Sequence, residues 1–322
     1  MRNFAYVLPE SIEQASQQAS LKGAVLKAGG IDLLDLMKGD IIAPERLVNL
    51  STVKHPGLRE IALKDDGLHI GALVTLTQLA GAKDVPAVLA EAAGKAATPQ
   101  IRNVATVGGN LAQRVRCWWF RSSTFPCARK EGNQCFAQKG ENKYHAVFDN
   151  SDCAAVAPSS LSSPLVVLDA TVVTTKRKLP IEQFFVPTTA DITKEHVLEP
   201  GEIITEVIVP TSSWKNAYRE AGERESQDWQ LVSASVALDL NGTTVKAARV
   251  ALGAVAVVPY RAKAVEEALK GKPVNAANAA KAADLAFAKA TPFPENSYKV
   301  ALGKVMLKRA ILAAAGLPEI GV

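Results

Sequence analysis

All four cysteines of the chain, Cys117, Cys127, Cys135 and Cys153, stand inside residues 113 to 160, where neither a helical nor a strand period can be found. A compact domain seldom holds so long a run without secondary structure unless a function or a covalent organiser fixes it. In a reducing compartment, cysteines gathered this way point to a metal or iron–sulfur site before a disulfide framework. Their spacing is C-x9-C-x7-C-x17-C. Zinc sites favour close C-x2-4-C knuckles, and none is present. Four thiolates suit the four irons of one cubane, and a loop with little apolar content of its own gains order from a metal. Structural zinc and buried or disulfide-linked thiols remain as alternatives.

The flanks are periodic. Residues 1–54 predict a small α/β unit with strands at 4–7, 24–27 and 47–50, a Ser-capped helix over 11–20 and a second helix over 32–37 after a glycine turn. Residues 61–72 read as a hairpin turning at Asp65-Asp66-Gly67, with helical stretches at 77–80 and 85–95. Beyond the cysteines, strands are expected at 165–173 and 202–209, and a linker at 210–213. The turn Asn241-Gly242 joins strands at 233–240 and 245–257, followed by Ala-rich helices near 262–270, 276–289 and 298–315. The fold class is therefore α+β, with expected units at 1–54, 55–212 (carrying the 113–160 insertion) and 213–322.

At 322 residues, 48% apolar and 21% charged, the chain can bury a sizeable core and is not disordered. Its net charge of +5 is spread over both signs, so no nucleic-acid footprint is expected. No apolar run is long enough for a membrane span. The N-terminus MRNFAYVLPESIEQ lacks an apolar export region and a twin-arginine pair, which makes the cytoplasm the default expectation.

Two short glycine motifs carry chemistry. In Lys27-Ala28-Gly29-Gly30-Ile31-Asp32 a strand runs through two glycines into a helix, which presents free backbone N–H groups to a phosphate. Asp32 should turn away from such an anion and pin its own helix. Thr106-Val107-Gly108-Gly109-Asn110 repeats the logic, with a hydroxyl and an amide as added hydrogen-bonding groups. Either alone is equally a plain turn. Neither has the spacing of a dinucleotide-binding or P-loop glycine motif, and no nicotinamide site is recognisable.

Taken together, KAGGIDLLDLMK and QIRNVATVGGNLAQ resemble the FAD-binding medium subunits of the molybdenum hydroxylases, which include carbon monoxide dehydrogenase, xanthine dehydrogenase and aldehyde oxidoreductases. The resemblance spans nearly the whole chain. It implies an FAD-binding PCMH-type (type 2) flavoprotein with a C-terminal domain of antiparallel sheet plus helices. It also implies FAD contacts from Val25, Leu26, Lys27, Ala28, Gly29, Gly30, Ile31, Asp32 and Leu33, and from Thr106, Val107, Gly108, Gly109 and Asn110. The cysteine segment resembles an insertion that binds a [4Fe-4S] cluster in some of these subunits, those of periplasmic-type aldehyde oxidoreductases and 4-hydroxybenzoyl-CoA reductases. On that resemblance the metal ligands are Cys117, Cys127, Cys135 and Cys153.

The implied partners are a large subunit with a molybdenum cofactor, a small [2Fe-2S] subunit and an external electron acceptor. A twin-arginine-bearing partner would place the complex in the periplasm. Other readings are a stand-alone FAD oxidoreductase and a zinc-stapled binding module. Ile31 departs from the family's usual hydroxyl residue, and Ala157-Pro158-Ser159-Ser160 from its His-Pro-Ser-Asp, which leaves Ser160 as the polar contact on the flavin side. Glu220 stands where a relative has lysine. His55, His69, His145 and His196 are expected to be structural, and Trp118 and Trp119 to shield the cluster or anchor the loop.

Overall fold

The computed structural model describes residues 1–319. Its first sheet is parallel. Strands β1 (Ala5–Val7), β2 (Ala24–Lys27) and β3 (Arg46–Asn49) lie in the order β1-β3-β2. Parallel neighbours need crossover connections, and the helices Ile12–Ala19 and Ile31–Lys38 supply them. Ser11 caps the first by accepting the Gln14 N–H.

A second, antiparallel sheet runs β4-β5-β8-β6-β7. Its strands are β4 (Ile61–Lys64), β5 (Gly67–Gly71), β6 (Thr171–Thr174), β7 (Lys178–Pro180) and β8 (Ile204–Val209). The third sheet, β12-β11-β10-β9, comprises β9 (Lys215–Ala221), β10 (Val232–Asn241), β11 (Thr244–Gly253) and β12 (Tyr260–Arg261). The β10–β11 hairpin turns where Asn241-Gly242 predicts, with Gly242 at φ +59°. Helix Tyr298–Ala314 packs on β9 and β10 and against helix Ala276–Ala286. Gly303 is needed there, because a Cβ would meet the Phe287 ring at 2.2 Å.

Two expectations are corrected. The apolar run from residue 165 is not one strand: Ser162–Val167 is helical and the strand begins at Thr171. All six helical residues are buried, on a core shared by the second and third sheets. A short run buried on every side carries no period that separates helix from strand. The strand β9, not predicted, holds Tyr218, whose ring joins that shared core.

The 113–160 segment is irregular but not coreless. It contains one turn of α-helix, Trp118–Arg121, and two 3-10 turns, Ala128–Lys130 and Phe136–Gln138. Val115, Phe120, Cys127, Cys153 and Ala155 form a small core with Leu36 of helix Ile31–Lys38. Asn142 and Glu295 bond reciprocally through their backbone N–H groups and side chains, at 2.7 and 3.3 Å. Asn296 Nδ2 donates to the His145 and Ala146 carbonyls, both at 3.1 Å. The expectation of a loop ordered by metal alone is therefore corrected, because long-range contacts that leave no local period supply an order of their own.

Candidate cofactor sites

The first glycine motif builds an anion cradle. Gly30 takes φ +80° and opens helix Ile31–Lys38 without a side-chain cap, a conformation that favours glycine. The backbone N–H groups of Gly29, Gly30, Ile31, Asp32 and Leu33 find no acceptor among the described residues, and the first turn bond is Leu34 N–H to the Gly30 carbonyl at 2.9 Å. Donors left free at a helix N-terminus suit a phosphate. Lys27 curls over the loop, its Nζ 3.3 Å from the Ala28 carbonyl and its Cε 3.0 Å from where a Gly30 Cβ would lie. Val25, Leu26 and Ala28 are half-buried beneath, while the Ile31 side chain is exposed at the rim.

The second motif works differently from the expectation. Its residues open a short helix, Val107–Leu111, capped by Thr106. The amides of Val107 to Asn110 are all taken: Val107 donates to the Val74 carbonyl, Gly108 to Ala72, Gly109 to Thr106 Oγ1 and Asn110 to the Thr106 carbonyl. Gly108 is packed on Ala72, 3.0 Å from a would-be Cβ. A Gly109 Cβ would meet only its own cap oxygen at 2.9 Å and the Ala28 Cβ at 4.0 Å. This motif thus walls the cradle with a bare surface and does not add free donors.

Asn110 is likewise spoken for. Its Oδ1 accepts from Ser159 Oγ at 2.7 Å and from the Leu161 N–H at 3.2 Å, and its Nδ2 donates to Ser160 Oγ at 3.1 Å. It fixes Ser160 beside the glycine wall.

Asp32 pins its helix, as expected, though not by capping it. It accepts the Arg114 N–H at 2.9 Å and pairs with Arg121 at 2.5 Å. Arg121 also reaches Asp35 at 2.8 Å. The helix that follows the cradle is thereby bolted to the start of the cysteine segment.

There Cys117, Cys127, Cys135 and Cys153 line one small cavity of about 20 Å³ together with Val115, Trp119, Phe120, Arg129 and Phe136. None is in a disulfide, and Cys127 and Cys153 are buried. Burial pushes the Cys117 thiol up to about 11. Cys153 is pulled down to about 6, first by the Cys135 thiol and then by the charge of Arg129, while Cys135 is raised in return. Among the described residues no three His, Cys, Asp or Glu side chains are gathered as the ligands of a single metal ion would be. Four thiols around a common cavity match the donor set of a multi-iron cluster.

Trp119 packs edge-on to Phe125 at 4.7 Å and stacks on Phe136 at 6.0 Å, covering this cavity. Trp118 is more exposed and lies edge-on to Tyr144 and His145. His145 stands at the site: its Nε2 is 3.2 Å from Cys117 Sγ, and burial pulls its pKa down to about 4. Lys299, fully buried, donates to the Tyr144, His145 and Ala254 carbonyls and holds that corner.

Comparison with known proteins decides the lineage. The family described as FAD binding domain in molybdopterin dehydrogenase matches residues 2–212, and the one described as CO dehydrogenase flavoprotein C-terminal domain matches 216–314. The chain belongs to the FAD-binding medium subunits of the molybdenum hydroxylases. This medium subunit is 36% identical to the aldehyde oxidoreductase FAD-binding subunit PaoB of Escherichia coli K12, over 98% of its own length and 99% of the relative's. The solved carbon monoxide dehydrogenase from Hydrogenophaga pseudoflava superposes with a TM-score of 0.75 at 28% identity, and quinoline 2-oxidoreductase from Pseudomonas putida 86 with 0.75 at 25%, each pair covered to 98% on both sides. The medium subunit is an oxidoreductase component that binds FAD, and its relatives are subunits of multi-subunit molybdenum hydroxylases. Among the described residues no helix is long and apolar enough to cross a membrane.

Sequence reasoning missed Arg129, Glu195, Lys299 and Asn296. Each acts through partners far away in the chain, so no local spacing marks them. His145 was in view and carried no distinguishing signal.

Proposed function

We propose that the medium subunit is the electron-transfer component of a three-subunit aldehyde oxidoreductase. In this reading a molybdenum large subunit oxidises the aldehyde, a [2Fe-2S] small subunit relays the electrons, and this chain passes them to an external acceptor. The aldehyde assignment follows the name of the PaoB relative, similar along the full chain. The units of the chain are taken as 1–54, 55–212 and 213–322, in line with the three sheets.

The FAD pyrophosphate would lie on the free amides of Gly29 to Leu33, with Lys27 supplying positive charge and Gly109 a surface that a phosphate can approach. Ser160, positioned by Asn110, offers a hydroxyl on the flavin side. A [4Fe-4S] cluster would be held by Cys117, Cys127, Cys135 and Cys153, with Trp119 and Phe136 keeping water out. When bound, FAD supplies one- and two-electron exchange and the cluster one-electron exchange. The observation that carries the cluster is the meeting, in one cavity, of four thiols drawn from across the 113–160 segment.

The test is an absorption spectrum with iron and acid-labile sulfide analysis of anaerobically purified protein. About four irons and four sulfides per chain, together with flavin bands, is the expected result, following from one cubane per chain. Stoichiometric zinc without sulfide overturns it. A stand-alone FAD reductase is distinguished by purification, since this reading expects two further polypeptides in fixed ratio.

A further inference from the structure

Beside the four thiols stands a buried positive charge that the reading above does not use. Arg129 is 3% exposed and lines the cysteine cavity. Its Nη1 donates to the Lys194 carbonyl at 3.2 Å and to Glu195 Oε1 at 3.1 Å. Its Nε and Nη2 are buried with no hydrogen-bond partner among the described residues. Native proteins rarely leave guanidinium donors in that condition, and each such group calls for an explanation. The other oxygen of Glu195 pairs with Arg114 Nε at 2.7 Å. Two guanidiniums therefore share one carboxylate; the one other charged side chain lining the cavity, Asp152, is exposed to solvent, so Arg129 is the buried cation at its wall.

We propose that Arg129, balanced by Glu195, sets the reduction potential of the cluster held by Cys117, Cys127, Cys135 and Cys153. The inference rests on the cluster assignment above. One-electron reduction adds one negative charge to a group already negative through its four thiolates. A fixed positive charge at the cavity wall favours the reduced form, the more so in a site of low dielectric. Free N–H groups that turn to a ligand or cluster sulfur act in the same direction, since charge and hydrogen bonds to sulfur are among the levers that set such potentials. Glu195 moderates the effect by neutralising part of the charge and fixing the guanidinium in place. Arg129 is in this sense a positioning and tuning residue that transfers nothing itself.

The experiment is a potentiometric titration of the whole purified complex with dithionite, followed by low-temperature EPR of the reduced cluster, after iron and sulfide have been counted. Arg129→Met is expected to keep flavin and iron and to move the cluster midpoint to more negative potential. Arg129→Lys, which keeps a charge without the fork of donors, should fall between that variant and the parent. Glu195→Gln, which removes the opposing charge with little change of shape, should move the midpoint the other way. An Arg129→Met cluster with an unmoved midpoint overturns the inference and leaves the cluster assignment standing. If Arg129→Met loses its iron, Glu195→Gln decides: an unmoved midpoint overturns the inference, and so does loss of iron from both variants, which assigns the pair to folding alone. Absence of sulfide from the parent protein removes the cluster and this inference together.

Discussion

The carbonyl oxygen of Val104 lies 2.2 Å from the point a Cβ on Gly29 would occupy. Gly29 is therefore required by the contact between the two glycine loops, whatever ligand sits above them. Gly109, on the opposite wall, faces only its own cap oxygen and the distant Ala28 methyl. The two glycines, similar in sequence context, separate loop packing from ligand approach. Gly29→Val is expected to lower both the melting temperature of the flavin-free protein and its FAD content. Gly109→Val should lower FAD content with a loss of about 1 kcal/mol in the free protein, the worth of a disturbed cap. Flavin-to-protein absorbance and thermal melts of stripped protein check both, and full FAD in Gly109→Val would remove the wall from the site.

The buried contacts of the cysteine segment make a second prediction. With Val115, Phe120 and Ala155 packed on Leu36, and Asn142, Asn150 and His145 tied to residues 291–299, the segment does not depend on one thiol. Cys127→Ser should lose the iron and the EPR signal while keeping FAD and resistance to limited proteolysis. Loss of flavin in step with iron would show that the two sites do not hold independently.

Lys299 gives the third. Lys299→Met removes a donor from three carbonyls, of which that of His145 keeps Asn296 while those of Tyr144 and Ala254 are left unmet, and an unmet buried acceptor costs roughly 1–3 kcal/mol per group. A fall in unfolding free energy of a few kcal/mol is expected, measured by denaturant titration of the flavin-loaded chain. Because His145 beside Cys117 loses one of the two donors that hold its carbonyl, the variant should also release iron faster to a chelator. Burial pulls the Lys299 pKa down to about 7, yet three carbonyl acceptors favour the charged form, which the replacement cannot imitate.

The fourth concerns His69 on β5, whose Nδ1 meets Glu206 at 2.8 Å and whose Nε2 meets Asp66 at 2.7 Å, with Lys64 Nζ at 3.4 Å from Nδ1. Burial and Lys64 oppose protonation, but the two carboxylates outweigh them and hold the pKa above its usual value. A raised folded-state pKa means that stabilisation is complete below the unfolded value, about 6.5, and fades as pH rises through the folded one. Denaturant melts of the parent and of His69→Phe should therefore differ most at about pH 6 and converge at alkaline pH. A gap that widens with rising pH contradicts the ion pairs.

The sequence alone determined the features that repeat locally: the Ser11 cap, the hairpins at Gly67 and Asn241-Gly242, the Ala-rich C-terminal helices and the two glycine turns. Each rests on backbone conformation or amphipathic period within a few residues, which the amino acids specify directly. The helix at Ser162–Val167 was not legible, since burial on every face erases the period. The roles within the sites were not legible either. Gly29 and Gly109 look alike until the chain folds and brings the Val104 carbonyl against one and only the Thr106 cap oxygen and a distant Ala28 methyl against the other. Asp32, expected to pin its own helix, does so through Arg114 and Arg121, partners far along the chain that no local spacing marks, and Arg129 enters the thiol cavity on a carboxylate 66 residues away. A short motif names the groups available, but which donors stay free for a ligand depends on every acceptor that long-range packing brings within reach.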